Sequence, residues 1–182
     1  MARHARPNTR TALRYISPED SAIGFAQGTD EFRDAWNKYT DTFDEGVLNL
    51  KPDEKPSYYY LKILSFDSQT KFYEALRAAD EPADDDKSEG NVGNMIERMF
   101  SPVMLATTRE FIETNLIGCD DHQEVVAIAP DGSFDVKSYS WKPGEPRPDG
   151  LVDAIVADQL LAFNMIMFCI NTNKLSEKEK KR

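Results

Sequence analysis

The best candidates for chemistry are a thiol, two carboxylates and an imidazole, which follow one another as Cys119, Asp120, Asp121 and His122. A cysteine nucleophile requires a base that the fold places beside it and that a third group orients. These residues follow a helical pattern that Gly118 is expected to end, and this predicts a solvent-exposed loop. We therefore expect no catalytic residue here. An enzyme with a site around Asp120, Asp121 and His122 remains an alternative.

Ligands for a metal ion are sparse in this sequence. A zinc site at the same cluster would need further ligands, and the chain offers only Cys169, in a predicted core helix, and His4, near the N-terminus. The carboxylates at 84–86 lack the ligand spacing that follows in a calcium loop, so a solvated charge run is expected there. Phosphate-loop and nucleophile-elbow motifs are also missing. The sequence predicts neither a metal nor a cofactor.

Charge is distributed unevenly along the 182 residues. The net charge is -10, but residues 1–14 carry +4 and residues 174–182 carry +3, which leaves -17 for residues 15–173. An acidic body does not suit duplex nucleic acid, because phosphate neutralisation needs clustered basic side chains. Nucleic acid is therefore expected to contact at most the basic arm. We expect this arm to dock in extended form on an acidic partner or neighbouring copy through Arg3, Arg6, Arg10 and Arg14, and the alternative is a disordered tail that serves only solubility.

The predicted organisation is a basic flexible arm at 1–14, one globular domain at 15–173 and a charged tail at 174–182. The two cysteines lie fifty residues apart and give no disulfide framework, so a reducing compartment is expected. The most apolar run, residues 160–170, is too short to cross a bilayer. These features predict a cytoplasmic protein that makes no membrane contact.

Hydrophobic periodicity predicts two helices early in the chain. Ser17 and Pro18 have the form of a helix start. Thr29 opens a longer helix over residues 29–45, with apolar side chains at helical spacing. Their stripe is expected to pack on the body of the protein, with a partner-facing groove anchor as the sharper alternative, and it comprises Phe32, Ala35, Trp36, Tyr39 and Phe43.

A strand-to-helix junction is predicted at residues 55–67, which read "KPSYYYLKILSFD". Alternation along the strand places Tyr59, Leu61 and Ile63 on the core face. The remaining tyrosines, Tyr58 and Tyr60, are left on a half-exposed face, where amphipathic rings suit contacts with another protein. Ser65 or Asp67 is expected to cap the following helix.

The second half of the chain is predicted to contain a helical segment, a hairpin and a long final helix. Within residues 94–117, Ser101 and Pro102 either kink one helix or start a second. Residues 125–129 and 134–141 flank "APDGS" and predict a short hairpin. The final helix, from Leu151 to about Asn171, is apolar on more than one face and is expected to be buried deeply or against another chain.

The expectation of burial against another chain makes Leu161 and Met165 candidate partner contacts and predicts a homo-oligomer. The predicted fold class is α+β and mainly helical. Small strand and hairpin elements are expected to pack on a helical core that includes the long C-terminal helix.

Three segments resemble the pattern of phage tail-assembly chaperones and related small virion-assembly proteins. In residues 56–65 a proline-led strand presents a Leu-Ser pair before a helix, in 115–119 a helix ends near "NLIGC", and 151–181 close with a helix and a "KLSEKEKK" end. The chain departs from this pattern in its aromatic helix at 29–45, its long arm, and Cys119 where a tryptophan is more usual.

The resemblance implies a non-enzymatic assembly protein of a tailed bacteriophage that binds a tail or virion component in the host cytoplasm. The absence of a visible catalytic motif and the excess of apolar helical positions favour the same class. An alternative is a small acidic regulatory protein that mimics nucleic acid, since the charge of -17 on residues 15–173 would suit such a role.

Overall fold

The computed structural model describes residues 12–80 and 100–180. In chain order the elements are β1 (Leu13–Ile16), α1 (Asp30–Thr42), a 3-10 helix (Glu45–Leu48), β2 (Tyr58–Leu61), α2 (Phe66–Asp80), α3 (Pro102–Asn115), β3 (Leu116–Ile128), β4 (Phe134–Trp141), α4 (Leu151–Ala157) and α5 (Gln159–Lys180). The strands form one antiparallel sheet in the order β1-β2-β3-β4. At 46% helix and 22% strand, the fold is α+β with comparable parts, and the prediction of a mainly helical protein is wrong.

The sheet is larger than predicted mainly because β3 begins directly at the end of α3. Gly118, predicted to stop a helix, lies inside β3, where a Cβ atom would come within 2.8 Å of the Trp141 carbonyl oxygen and 3.0 Å of Pro143 Cδ. Glycine is therefore needed for the close approach of the chain that leaves β4. The residues from Cys119 to His122, predicted to form a loop, consequently continue the strand.

The predicted helix at Ser17 is also wrong. The segment after β1 is a turn in which the Asp20 carboxylate accepts hydrogen bonds from the backbone N–H groups of Ala22 and Ser57, each at 2.8 Å. This side chain ties the turn to the start of β2. The contact, with a residue 37 positions away, takes the place of the helix that the local N-cap pattern predicts. Leu13 and Arg14, assigned to the arm from the sequence, belong to β1.

Helix α1 confirms that the aromatic stripe packs on the body of the protein. Thr29 caps the helix by accepting from Phe32 N–H at 3.2 Å. Tyr39 is fully buried, and its ring lies 5.5 Å from that of Phe168 on α5. Its hydroxyl group donates to the Arg14 carbonyl oxygen (3.0 Å) and accepts from Ile16 N–H (3.2 Å). Tyr39 thus joins α1 and α5 to the backbone of β1.

The junctions before α2 and α3 follow the prediction. Ser65 Oγ accepts from Ser68 N–H at 3.2 Å at the start of α2. Ser101 caps α3 by accepting from Met104 N–H at 3.3 Å, with Pro102 as the first helical residue, so this pair starts a helix.

The predicted final helix is broken into α4 and α5, which meet at 96°. Asp158 stands at the break and caps α5 by accepting from Leu161 N–H at 2.9 Å. Helix α5 then continues to Lys180 and includes residues 174–180 of the predicted tail. Among the described residues no single helix is long and apolar enough to span a membrane, although α4 and Gln159–Asn171 reach that length and composition when joined.

Removing the Tyr39 hydroxyl group tests the link between the helices and the sheet. In Tyr39→Phe, the backbone groups of Arg14 and Ile16 lose their partner, and we expect the free energy of unfolding to fall by about 1–3 kcal/mol. Urea denaturation measures this fall. Tyr73→Phe, at an exposed position on α2, should change it by less than about 0.5 kcal/mol. A Tyr39→Phe protein as stable as the wild type would contradict the assigned role.

Candidate functional site

The two faces of the sheet differ. We call the face with the buried side chains the core face and the opposite face the outer face. Paired residues on neighbouring antiparallel strands share a face, and the register pairs Tyr15 with Tyr59, Tyr59 with Cys119, and His122 with Tyr139. All of these side chains are buried. Helices α1 and α5 cover this face, because the Tyr15 ring packs against Trp36 and Phe168.

The outer face brings together three of the side chains that the sequence predicts as partner-binding. The Arg14 guanidinium lies 4.9 Å from the centre of the Tyr58 ring and 2.7 Å from the Glu45 carboxylate. Tyr58 donates to the same carboxylate at 2.8 Å, and the Tyr60 ring lies 6.4 Å from that of Tyr58. Partial burial and the Glu45 carboxylate raise the pKa of Tyr58 to about 12, so it remains a donor.

The candidate catalytic cluster is divided between the two faces. Cys119 and His122 belong to the core face, and burial raises the pKa of the Cys119 thiol to about 11, which disfavours the nucleophilic thiolate. Asp120 lies on the outer face, where its carboxylate accepts from the Tyr60 hydroxyl group at 3.2 Å and lies 3.7 Å from Lys55 Nζ. The four residues therefore do not converge on one reacting position.

Metal ligands do not cluster in the described part of the chain either. Residues 12–80 and 100–180 contain no group of three or more histidine, cysteine, aspartate or glutamate side chains placed to hold an ion. The predicted carboxylate run at 84–86 lies outside the described residues.

His122 is a buried titratable group in the core face. Its Nδ1 atom shares a 2.9 Å hydrogen bond with the Tyr59 hydroxyl group, and its Nε2 atom is buried without a hydrogen-bond partner. Burial lowers the pKa of His122 below the ordinary value of 6.5, and the nearby carboxylates of Asp158, Glu124 and Asp121 oppose this only in part. The neutral imidazole is the form that fits the core.

An open cleft of about 360 Å³ lies beside His122 and is lined by several carboxylates. Two of them already serve the fold, because Asp20 holds the turn after β1 and Asp158 caps α5. The His122 Nε2 atom is shielded from solvent, so it does not present a ligand to this cleft.

The far end of the β3–β4 hairpin carries an apolar surface on the outer face. The register pairs Val125 with Val136 and Ile128 with Phe134, and all four side chains point away from the core face. They are 56%, 42%, 69% and 64% exposed, respectively. We name these four residues the hairpin strip. Val126 is also exposed, at the irregularity in register between Val125 and Ala127.

The hairpin strip projects from the body of the protein. Every side chain from Phe134 to Ser138 is exposed, and on β3 the same holds from Val125 to Ile128. The turn at the tip is held by Asp131, whose Oδ1 atom accepts from both the N–H and the hydroxyl group of Ser133, while Gly132 takes a φ of 83°. A rigid turn keeps the strands paired and the strip on one face.

Of the remaining predicted site residues, Leu161 and Met165 do not join this outer face. Arg3, Arg6 and Arg10 lie outside the described residues. Leu161 is buried and Met165 is 0% exposed, since α5 packs inside its own chain, so neither is available to a partner in this fold. The apolar excess of the final helix belongs to the core, which was the first of the two alternatives for this pattern.

The hairpin strip was missed by the sequence analysis, although a signal for it exists. Along β4 the buried residues are Tyr139 and Trp141, whereas the apolar residues before them, Phe134 and Val136, occupy the opposite phase of the alternation. A change of phase inside one strand indicates that its two ends bury opposite faces or that one end exposes apolar side chains.

Comparison of the chain with protein-family models, with curated proteins and with solved structures gave no match. A proposal about function therefore rests on the geometry of the described residues.

Burial of His122 predicts a stability that depends on pH. Because its pKa is lower in the folded state than in the unfolded state, the unfolded chain binds the proton first, and stability falls as the pH drops below about 6.5. Each unit of difference between the two pKa values contributes about 1.4 kcal/mol. Urea denaturation at pH 7.5 and 5.5 measures the loss.

The variant His122→Asn cannot titrate and should lose less stability over this interval than the wild type. His4→Asn removes the other histidine of the chain and serves as the matched control. Equal losses in the wild type and His122→Asn would show that His122 does not carry the pH dependence.

Proposed function

We propose that this protein acts by binding another protein through the outer face of its sheet, as a non-enzymatic assembly or adaptor protein. The observation that carries the proposal is the hairpin strip. Isolated exposed apolar side chains are ordinary on protein surfaces, but a contiguous set on one projecting face is typical of an interaction site.

Covering the hairpin strip would supply the main favourable term for binding. Full burial of one large aliphatic or aromatic side chain contributes roughly 1.5–3 kcal/mol, and the four residues are still more than two-fifths exposed. Their paired strands fix the backbone that carries these side chains before the partner arrives, which lowers the entropy cost of binding. The partner should present an apolar surface of matching shape, such as one side of an amphipathic helix.

The tyrosines at the other end of the outer face extend this surface with polar anchors. Tyr58 and Tyr60 are half-buried and held by the carboxylates of Glu45 and Asp120. Arg14 remains about half exposed beside them. Tyrosine and arginine are enriched among the residues that dominate binding energy in protein interfaces, because they combine apolar area with hydrogen-bonding capacity.

The narrower form of the proposal comes from the sequence resemblance to phage tail-assembly chaperones. In that form the partner is a tail or virion component of a tailed bacteriophage, met in the host cytoplasm. The outer face is compatible with this role because a chaperone of assembly binds through surface contacts and needs no catalytic group.

Site-specific photo-crosslinking tests the proposal in cells that produce the protein. A photoreactive phenylalanine analogue at Phe134 or Ile128 should form covalent adducts with the same partner protein, which mass spectrometry of the adduct identifies. The analogue at Glu31, an exposed position on α1, is the matched control and should not yield that adduct. Adducts of equal yield from Glu31, or none from the two strip positions, would contradict the proposal.

Affinity for the purified partner then measures the contribution of the strip. The double variant Phe134→Ser, Val136→Thr should bind the partner at least tenfold more weakly, a loss of about 1.4 kcal/mol, because it removes apolar area without disturbing the core. Its melting temperature should match that of the wild type. Unchanged affinity in calorimetry would exclude the hairpin strip as the binding surface.

A further inference from the structure

The outer edge of β4 is open in the described part of the chain. The sheet order places β4 at one end, and no strand among residues 12–80 and 100–180 pairs with its second side. Alternate residues of an edge strand direct their N–H and C=O groups away from the sheet, where another strand can form hydrogen bonds with them. The opposite edge differs, because on β1 the Tyr39 hydroxyl group already forms hydrogen bonds with the backbone of Arg14 and Ile16.

Charged side chains on β4 are arranged symmetrically about one residue. Asp135 and Lys137 flank Val136, both are exposed, and both point to the face opposite that of the hairpin strip. Lys137 Nζ lies 4.5 Å from the centre of the Tyr139 ring, and this cation–π contact restrains the Lys137 side chain.

We propose that two copies of this chain pair through β4, antiparallel and about a two-fold axis at Val136, to form one continuous eight-stranded sheet. In this register Val136 faces Val136 of the second copy. Each Asp135 then faces a Lys137 across the new pair, twice by symmetry, and opposite charges at directly facing positions favour a pairing.

Charge also excludes the neighbouring registers. A two-fold axis at Asp135 would place the two Asp135 carboxylates opposite each other, and an axis at Lys137 would do the same with two ammonium groups. Like charges at facing positions are unfavourable. Only the axis at Val136 pairs both charges of each copy, and this selects a second copy of the chain as the occupant of the edge.

Pairing in this register also enlarges the outer face. A two-fold axis perpendicular to the sheet keeps the hairpin strips of both copies on the same side. Their Val136 side chains become neighbours, and the two strips join into one apolar surface. The pairing itself stands on the edge and its charges, and does not depend on the function proposed above.

Charge exchange tests this pairing by sedimentation velocity at about 150 mM salt, where long-range repulsion between the acidic bodies is screened beyond about 8 Å. The wild type should dimerise. Asp135→Lys alone and Lys137→Asp alone should each weaken dimerisation at least tenfold, because each places like charges opposite each other. An equimolar mixture of the two variants should recover the dimer, since the two substituted side chains would then face each other with opposite charges.

Two controls separate the register from net charge and from folding. Asp34→Lys and Lys38→Asp, at exposed positions on α1, change the net charge equally and should leave the dimer intact. Circular dichroism melts confirm that each variant is folded. A wild type that stays monomeric, single variants that dimerise normally, or a mixture that stays monomeric would each overturn the proposal. Photo-crosslinking to a different protein from Phe134 reports on the proposed function separately.

Discussion

Helices α1 and α5 cover the core face of the four-stranded sheet, whereas the hairpin strip on its outer face is exposed, and this asymmetry decides where each important side chain lies. Tyr15 on β1 packs between Trp36 and Phe168, and Tyr39 closes the same cluster from α1. Because strand residues alternate between faces, a residue that follows one on the core face is directed to the outer face wherever the strand is regular. By fixing the register of the strands, the core therefore determines which residues lie on the outer face.

This constraint explains why reactive residues that are adjacent in sequence do not form a catalytic site. The thiol of Cys119 and the imidazole of His122 are both buried in the core. Burial raises the pKa of Cys119 and lowers the pKa of His122, so each side chain is favoured in its neutral form. Asp120 is directed to the opposite face and is used to hold Tyr60. The same alternation collects Arg14, Tyr58 and Tyr60 with the hairpin strip on one side, which suits recognition of a surface.

Local patterns sufficed where short-range chemistry decides structure. Thr29, Ser101 with Pro102, the alternation from Tyr58 to Leu61, and the turn at 130–133 each predict an element that the structure contains. Two of the failures share a cause, which is a contact distant in sequence. Asp20 bonds to Ser57 instead of opening a helix, and Gly118 serves the approach of Trp141 instead of ending one. The break at Asp158 separates α4 from α5 although the apolar pattern runs through it.

The central claim is that the outer face of the sheet, and the hairpin strip above all, is covered by another protein when this chain works. Carbene footprinting with mass spectrometry tests it directly, by comparing label uptake in the isolated protein with uptake in the complex recovered under native conditions. The account predicts strong labelling of Ile128 and Phe134 in the isolated protein and protection of both in the complex, while exposed positions on α1 change little. Equal labelling of Ile128 and Phe134 in the two states, with protection elsewhere on the surface, would contradict it.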